Sequence, residues 1–204
     1  MDTRMACPQF CPPRLTGRRQ HTLLASMTLF LLPMWLMAFP AYGAGESEDL
    51  EHSVKAAFLY KFASYVEWPA NAFPKADAPI AIAVTGSDVI AAELGRLVAG
   101  RTAQGRPIVV KRLAPGDPLA GVHILFVGPG DAERLAQWAR DAQAHSTLLV
   151  TDSRRALERG STINFVLVDR RVRFEISLDA AEKSSLKLSS RLLAVAQRVH
   201  PGAR

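Results

Sequence analysis

The sequence VHILFVGPG, residues 122–130, decides the fold class of this chain. No acidic side chain, lysine or arginine interrupts the run from Val122 to Val127, and a glycine–proline–glycine turn ends it. A short apolar run without polar alternation is typical of a strand buried on both faces, as in a parallel sheet covered by helices. The sequence therefore predicts a central strand here, followed by a helix that carries Leu135 and Trp138 on one face.

Outward from this strand, short apolar runs alternate with helical patterns of about ten residues. Three further strands are predicted on either side of it, at Ile80–Thr85, Gly105–Lys111 and Thr147–Thr151. Two more, Ile163–Val168 and Val172–Ile176, are joined by a tight turn at Asp169-Arg170. The pattern predicts the α/β class, a single three-layer domain with a mainly parallel sheet, helices on both faces and a terminal antiparallel hairpin.

The first and last helices of this domain are predicted from apolar residues at helical spacing. In the first, residues 50–66, the stripe includes Phe58 and Phe62, whereas Lys55 is expected off the stripe, and Pro69 ends the helix. In the last, Ser189 is the expected N-cap. Its stripe is expected to continue through Leu192, Leu193, Ala196 and Val199.

Residues 1–43 have the order of an export signal. Arg14, Arg18 and Arg19 precede an uncharged run from Thr22 to Phe39, and small residues follow at Ala41 and Gly43. An uncleaved membrane anchor is the alternative, because about 18 apolar residues are near the minimum for crossing a bilayer. Pro33 and the small-residue exit favour cleavage, so we expect a periplasmic chain that spans residues 44–204 as one domain.

Removal of this segment changes what charge and cysteine content imply. It carries four arginines and one aspartate, so the net charge falls from +6 to +3, and nucleic acid becomes an improbable partner for an exported protein. Both cysteines, Cys7 and Cys11, leave with it. The mature chain then has neither a disulfide nor a cysteine nucleophile, and an ordinary hydrophobic core must stabilise it.

The motifs of common enzyme classes are absent from the sequence. It contains no G-x-S-x-G, H-E-x-x-H, Walker A or G-x-G-x-x-G pattern, and its histidines are not paired at metal-ligand spacing. His123 opens the central strand, where a hydrogen-bonded core histidine is the commoner situation than a metal ligand. We therefore expect a binding protein rather than an enzyme, with no metal or cofactor.

Candidate binding residues stand where predicted strands end. Thr151, Asp152 and Ser153 follow a strand and Asn164 opens the next one, and the carboxyl ends of parallel strands form the crevice where ligands bind. The alternative for Asp152 or Ser153 is a helix cap on the short helix that reaches Leu157. Gly86-Ser87-Asp88 presents the same two alternatives.

The second candidate surface is rich in arginine. Arg154, Arg155, Arg159, Arg170, Arg171 and Arg173 lie close in sequence. Within the last strand Arg171, Arg173 and Glu175 alternate with apolar residues, so they occupy one wet face of the sheet. A solvated face is one interpretation, and a contact with an acidic partner or an anionic ligand is the other.

Six segments keep their order and spacing from about residue 50 to residue 199. They are Val54–Phe62 with Trp68-Pro69, His123–Val127, Leu148–Asp152, Ile163–Phe165, Arg173–Ile176 and Leu186–Leu193. With these segments the chain resembles the YfiR-like family of periplasmic proteins. The resemblance implies a repressor that binds the periplasmic sensor domain of an inner-membrane diguanylate cyclase, which lowers cyclic di-GMP and biofilm formation.

The resemblance also implies a second partner, an OmpA-like outer-membrane lipoprotein that sequesters the repressor, and it leaves a homodimer open. Some relatives carry cysteines suited to redox control, and the mature chain has none. A different class of function also remains open, a small-molecule binding module that presents a solute to a receptor or transporter. An apolar surface rimmed by arginine would favour the regulator, and a concave polar pocket would favour the solute module.

Overall fold

A computed structural model of the protein describes residues 44–75 and 77–202. The predicted export signal lies outside the described residues, so its cleavage stays a prediction. Among the residues that are described, no helix combines the length and hydropathy needed to cross a membrane.

An eight-stranded sheet forms the centre of the molecule, in the order β10-β8-β7-β6-β5-β2-β4-β3. Five of its seven pairings are parallel, and the pairs β7–β8 and β3–β4 are antiparallel. The strands are β2 (Ile80–Thr85), β3 (Thr102–Ala103), β4 (Arg106–Arg112), β5 (Ile124–Val127), β6 (Leu148–Thr151), β7 (Ile163–Val168), β8 (Arg171–Ser177) and β10 (Arg198–His200). Short strands β1 (Val66–Glu67) and β9 (Lys187–Leu188) pair separately.

Helices cover both faces of the sheet, which confirms the predicted α/β class with a mostly parallel sheet and an antiparallel hairpin. The helices are α1 (Ala44–Tyr65), α2 (Asp88–Val98), α3 (Leu135–Ala144), α4 (Leu178–Lys183) and α5 (Ser190–Val195). Every residue of β5 is buried. Apolar side chains of α1 and α2 pack with Ile124 and Phe126 in one core cluster, and those of α3 pack with Leu125 and Val127 in the other.

Aromatic packing attaches α1 to the hairpin. Phe62 is 1% exposed, and its ring centroid lies 5.2 Å from that of Phe174 and 6.0 Å from that of Phe165. Phe58 makes similar contacts one turn earlier, at 5.4 Å from Phe174. The hairpin is therefore held against the helix by rings from both elements, in stacked and edge-to-face arrangements.

The prediction for the last helix is wrong in its second half. Helix α5 ends at Val195, Ala196 adopts an extended conformation (φ −68°, ψ 144°), and Val199 lies in strand β10 instead of on a helical stripe. This strand pairs with the outer side of β8, so the hairpin is not the last pair of the sheet. A β-branched residue such as Val199 suits a strand, and pairing satisfies the backbone groups of an otherwise open edge.

Candidate functional site

Two crevice positions lie at the carboxyl ends of parallel strands of the sheet, and the first, between β2 and β5, is closed. Strand order reverses there, which is where open α/β sheets usually bind ligands. In this protein the backbone of the loops that follow β2 and β5 fills the space where a ligand would bind. Gly130 N donates a hydrogen bond to Gly86 O at 3.2 Å, and a Cβ added to Gly86 would stand 2.6 Å from Asp131 N.

Asp131 completes the closure of this first crevice. Its carboxylate is buried and accepts hydrogen bonds from Thr85 Oγ1 at 3.0 Å and from Trp138 Nε1 at 2.6 Å. Arg134 lies 3.7 Å from its other oxygen. Nearby, Ser87 Oγ accepts from Ile90 N at 3.4 Å and caps α2. The capping interpretation of Gly86-Ser87-Asp88 is thus confirmed, and no open ligand crevice exists at this point.

The second crevice lies where β6 ends beside β7, and four of the predicted residues meet there. Thr151 and Asn164 are register partners on the two strands. Thr151 Oγ1 donates to Asn164 Oδ1 at 2.8 Å, and Ser153 N donates to the same oxygen at 3.2 Å. These bonds fix the Asn164 side chain. Thr151 itself is fully buried below the crevice, so its role is to position Asn164 and not to contact a ligand directly.

Asp152 holds α1 against the end of β6. Lys55 Nζ lies 3.0 Å from Asp152 Oδ2 and 2.6 Å from Glu51 Oε1, and the Lys55 and Asp152 side chains are each only 8% exposed. Because Asp152 accepts from Lys55, the helix-cap alternative for it is wrong. The short 3-10 helix Leu157–Arg159 begins after Ala156 and has no side-chain cap.

Electrostatics keeps Lys55 charged in this pair. Burial alone would lower the pKa of Lys55, but the hydrogen bond to Glu51 and the attraction of Asp152 outweigh burial and raise the pKa above its ordinary value. The second carboxylate oxygen of Asp152 takes no part in this pair. Asp152 Oδ1 is buried and has no hydrogen-bond partner among the described residues. A buried acceptor without a donor is costly, so a water or a ligand donor would be stabilised there.

A cavity of about 420 Å³, which we call the cleft, opens beside this pair and is lined by Asp152, Ser153, Asn164 and Glu175 as well as by Arg154 and Arg155. A neighbouring hollow of about 470 Å³ shares Arg155, Asn164 and Glu175 with it. Glu175 lies 3.9 Å from Arg198 and 3.8 Å from His200, beyond hydrogen-bond length. The cleft is therefore open, polar and mixed in charge.

The predicted arginines do not join the cleft as one cluster. Arg171 and Arg173 line a separate cavity of about 340 Å³ between the hairpin and the start of α1, which we call the groove. Arg155 is paired with Glu158, and Arg159 donates to the carbonyl oxygens of Ala132 and Glu133. The structure thus divides the predicted site residues between two adjoining surfaces, and Glu51 and Leu167 line both of them.

Lys55 is the residue that the sequence interpretation misplaced. It was expected off the apolar stripe of α1, yet it is 6% exposed and lies four residues before Leu59 and seven before Phe62. That spacing was a usable signal, because a lysine within a buried stripe must find a carboxylate. The exposed Leu50 and Leu167 were also missed.

His123 has the structural role that the sequence favoured. Its Nδ1 accepts a hydrogen bond from Ala81 N at 3.1 Å, and its Nε2 lies 3.2 Å from Ala72 O. Burial, the largest influence, lowers the pKa of this imidazole, which favours the neutral ring that these bonds require. Among residues 44–75 and 77–202 no cluster of three or more histidine, cysteine or acidic side chains could hold a metal ion.

Comparison with known proteins identifies the family to which this chain belongs. The family model described as YfiR/HmsC-like matches residues 52–197, a span that contains the lining of the cleft except Glu51 and seven of the ten residues that line the groove. The chain belongs to the YfiR/HmsC-like family. This is a family of regulatory proteins of the periplasm linked to diguanylate cyclase systems.

Other comparisons add little to the family assignment. A solved structure described as a conserved domain protein from Vibrio cholerae O1 biovar El Tor strain N16961 is similar at 12% identity and a TM-score of 0.48. The alignment covers 73% of this chain and 60% of that one. No curated protein matches this chain at a significant level.

Proposed function

We propose that this protein represses an inner-membrane diguanylate cyclase by binding its periplasmic sensor domain, and that it thereby lowers cyclic di-GMP and biofilm formation. The observation that carries the proposal is the match to the YfiR/HmsC-like family, which runs through both candidate surfaces. The proposal includes export to the periplasm with loss of residues 1–43. It also includes sequestration by an OmpA-like outer-membrane lipoprotein as the means of release.

The physical basis of such repression is a difference in affinity. A protein that binds the inactive sensor conformation more tightly than the active one shifts the population toward the inactive state by that difference. A hundredfold preference corresponds to about 2.7 kcal/mol, which is within the usual range of allosteric coupling. Repression of this kind requires no catalytic reaction at the interface. This agrees with a family of regulators that are not known as enzymes.

We assign the contact to the predicted residues that reach the surface. Arg171 and Arg173 are exposed on the hairpin, and Asp152, Ser153, Asn164 and Glu175 line the adjoining cleft. Within the described part of the chain no carboxylate lies within salt-bridge distance of either arginine. Arginines without partners at a surface are available to an acidic partner, for which they are well suited.

The test is the cellular level of cyclic di-GMP in a deletion strain complemented with variants. The deletion should raise cyclic di-GMP and surface attachment, and the wild-type gene should restore both. Arg171→Glu with Arg173→Glu should fail to restore them although the protein folds and is exported, because reversed charges repel an acidic partner. A matched control, Arg140→Glu with Arg191→Glu, makes the same change in net charge at other exposed arginines and should restore repression.

A deletion strain with wild-type cyclic di-GMP, while the cyclase is expressed, would contradict the proposal. In that event a second candidate, a small-molecule binding module, gains weight from two unused polar groups beside the cleft. Asp152, whose buried Oδ1 has no partner, lines the cleft beside Asn164, and no hydrogen bond from the Asn164 amide nitrogen is found among the described residues. Native mass spectrometry of protein isolated from the periplasm would test this candidate, which requires a bound molecule that Asn164→Leu removes.

A further inference from the structure

The turn of the hairpin holds an arginine in an unfavourable backbone conformation. Asp169 and Arg170 connect β7 to β8 as a two-residue loop, and both have positive φ angles, 50° and 58°. Such turns favour Asn-Gly, because a side chain at positive φ crowds the backbone. A glycine would fit the second position better than Arg170. Strain of this kind is often retained where the side chain has a function.

The strands next to this turn have no other strand beside them in the described structure. Strand β6 reaches only Ile163 and Asn164, and β10 pairs only with Glu175–Ser177. The ribbon between them, residues 165–174, is covered on one side by α1. A two-stranded ribbon is marginally stable without such support, so its outer part offers a surface that a partner can complete.

The groove beside this ribbon combines exposed leucines with arginine. Leu50 of α1 is 66% exposed and Leu167 of β7 is 58% exposed, while Val54, Phe58 and Val172 form the apolar floor. Arg170, Arg171 and Arg173 stand around it. None of these three forms a salt bridge within residues 44–75 and 77–202. Charge depletion at the centre and arginine at the rim are features of protein interfaces.

We propose that this groove, with Arg170 at its tip, is the docking surface for an apolar segment of a partner protein that also carries acidic side chains. Charge complementarity selects this occupant, because the rim offers three cations, and Glu51 is the only carboxylate that lines the groove among the side chains that the structure describes. The identity of the partner as a cyclase sensor domain rests on the proposed function, but the location and chemistry of the contact do not.

Two substitutions in the turn separate strain from recognition. Arg170→Gly relieves the positive φ and removes the arginine, so it should raise the melting temperature by about 2 °C and reduce partner capture at least tenfold. Asp169→Gly is the matched control, since it relieves the neighbouring positive φ and keeps the arginine. It should leave capture unchanged. A variant that is more stable and binds less well cannot be explained by misfolding.

Capture is measured by placing a photo-cross-linking amino acid at Leu167 in the full-length gene, irradiating cells, and sequencing the captured peptide. Val195, which is 65% exposed and does not line the groove, is the control position. An apolar, acidic peptide captured at position 167, lost with Arg170→Gly and retained with Asp169→Gly, supports the docking surface. Capture of a second copy of this chain, of a basic peptide, or of nothing overturns it.

Failure of the docking surface and failure of the proposed function give different results. If the captured peptide meets these criteria but comes from a protein other than a cyclase, the docking surface stands and the proposed partner is wrong. If the purified sensor domain binds wild type, Arg170→Gly and Leu167→Ser equally, the proposed partner stands and the docking surface is wrong.

Discussion

The two crevices at the carboxyl ends of the strands are built from similar residues but differ in how their polar groups are used. At β2 and β5, one oxygen of buried Asp131 accepts two hydrogen bonds, the other lies 3.7 Å from Arg134, and three glycines bring the backbone together. At β6 and β7, buried Asp152 uses one oxygen for Lys55 and leaves the other without a partner among the described residues. The comparison teaches that the close approach of the backbone and the pairing of the buried carboxylate, and not position in the fold alone, decide which crevice stays open.

The largest expected effect comes from breaking the closed crevice. Gly86→Ala should destabilise the protein by about 4 kcal/mol, because the position has φ +71° and the new Cβ would meet the backbone at 2.6 Å and 2.9 Å. Gly116→Ala is the control, with φ +93° but open space, and should cost about 1 kcal/mol. Urea unfolding measures both. Equal costs would mean that the close approach of the loops does not matter.

A smaller effect is expected from breaking the ion pair of the open crevice. Lys55→Met should destabilise the protein by about 3 kcal/mol, because it leaves the buried Asp152 carboxylate without its cation. Adding Asp152→Leu should recover most of that loss, since an apolar pair of similar volume is tolerated in such positions. Failure of the double variant to recover stability would show that Asp152 is needed for more than pairing with Lys55.

The smallest expected effect concerns His123 at the amino end of β5, on the edge of the sheet opposite to both crevices. The folded-state pKa of His123 is lowered from its ordinary value of 6.5, so the unfolded state binds the proton more readily. Stability should therefore be constant above about pH 6.5 and should fall as pH decreases below it. His123→Asn should flatten this dependence of the melting temperature, whereas replacement of the exposed His145 should not. A dependence that persists in His123→Asn would assign it to other groups.

The sequence predicts most of this fold because most of its signals are local. The apolar runs at Ile80–Thr85 and Val122–Val127 need no distant information, and the Asp169-Arg170 turn connects strands that are neighbours in the chain. Strand β10 could not be predicted in the same way. It has three residues, and each pairs with a residue of β8 that is 23 positions away, so the pattern of apolar residues alone suggested a longer α5.

The candidate site was predictable only in part, because some of its contacts join residues that are far apart in the sequence. The rule that ligand crevices form at the carboxyl ends of parallel strands pointed to Thr151, Asp152 and Ser153. Asn164 joins them for a different reason, because β7 pairs with only the last two residues of β6 and therefore begins where β6 ends. The partner of Asp152 is 97 residues away on α1, and no pattern near either residue names the other. The groove depends on how α1 lies over the hairpin, so the exposure of Leu50 and Leu167 could be found only in three dimensions.

The most direct test of the account is the rate of cyclic di-GMP synthesis by spheroplasts that contain the cyclase and have lost their periplasm. Addition of purified protein, residues 44–204, should lower the rate in a saturable way, and the variant Arg171→Glu with Arg173→Glu should have little effect at the same concentration. A rate that stays constant when wild-type protein is added, with the sensor domain exposed and the cyclase active, would contradict repression by binding.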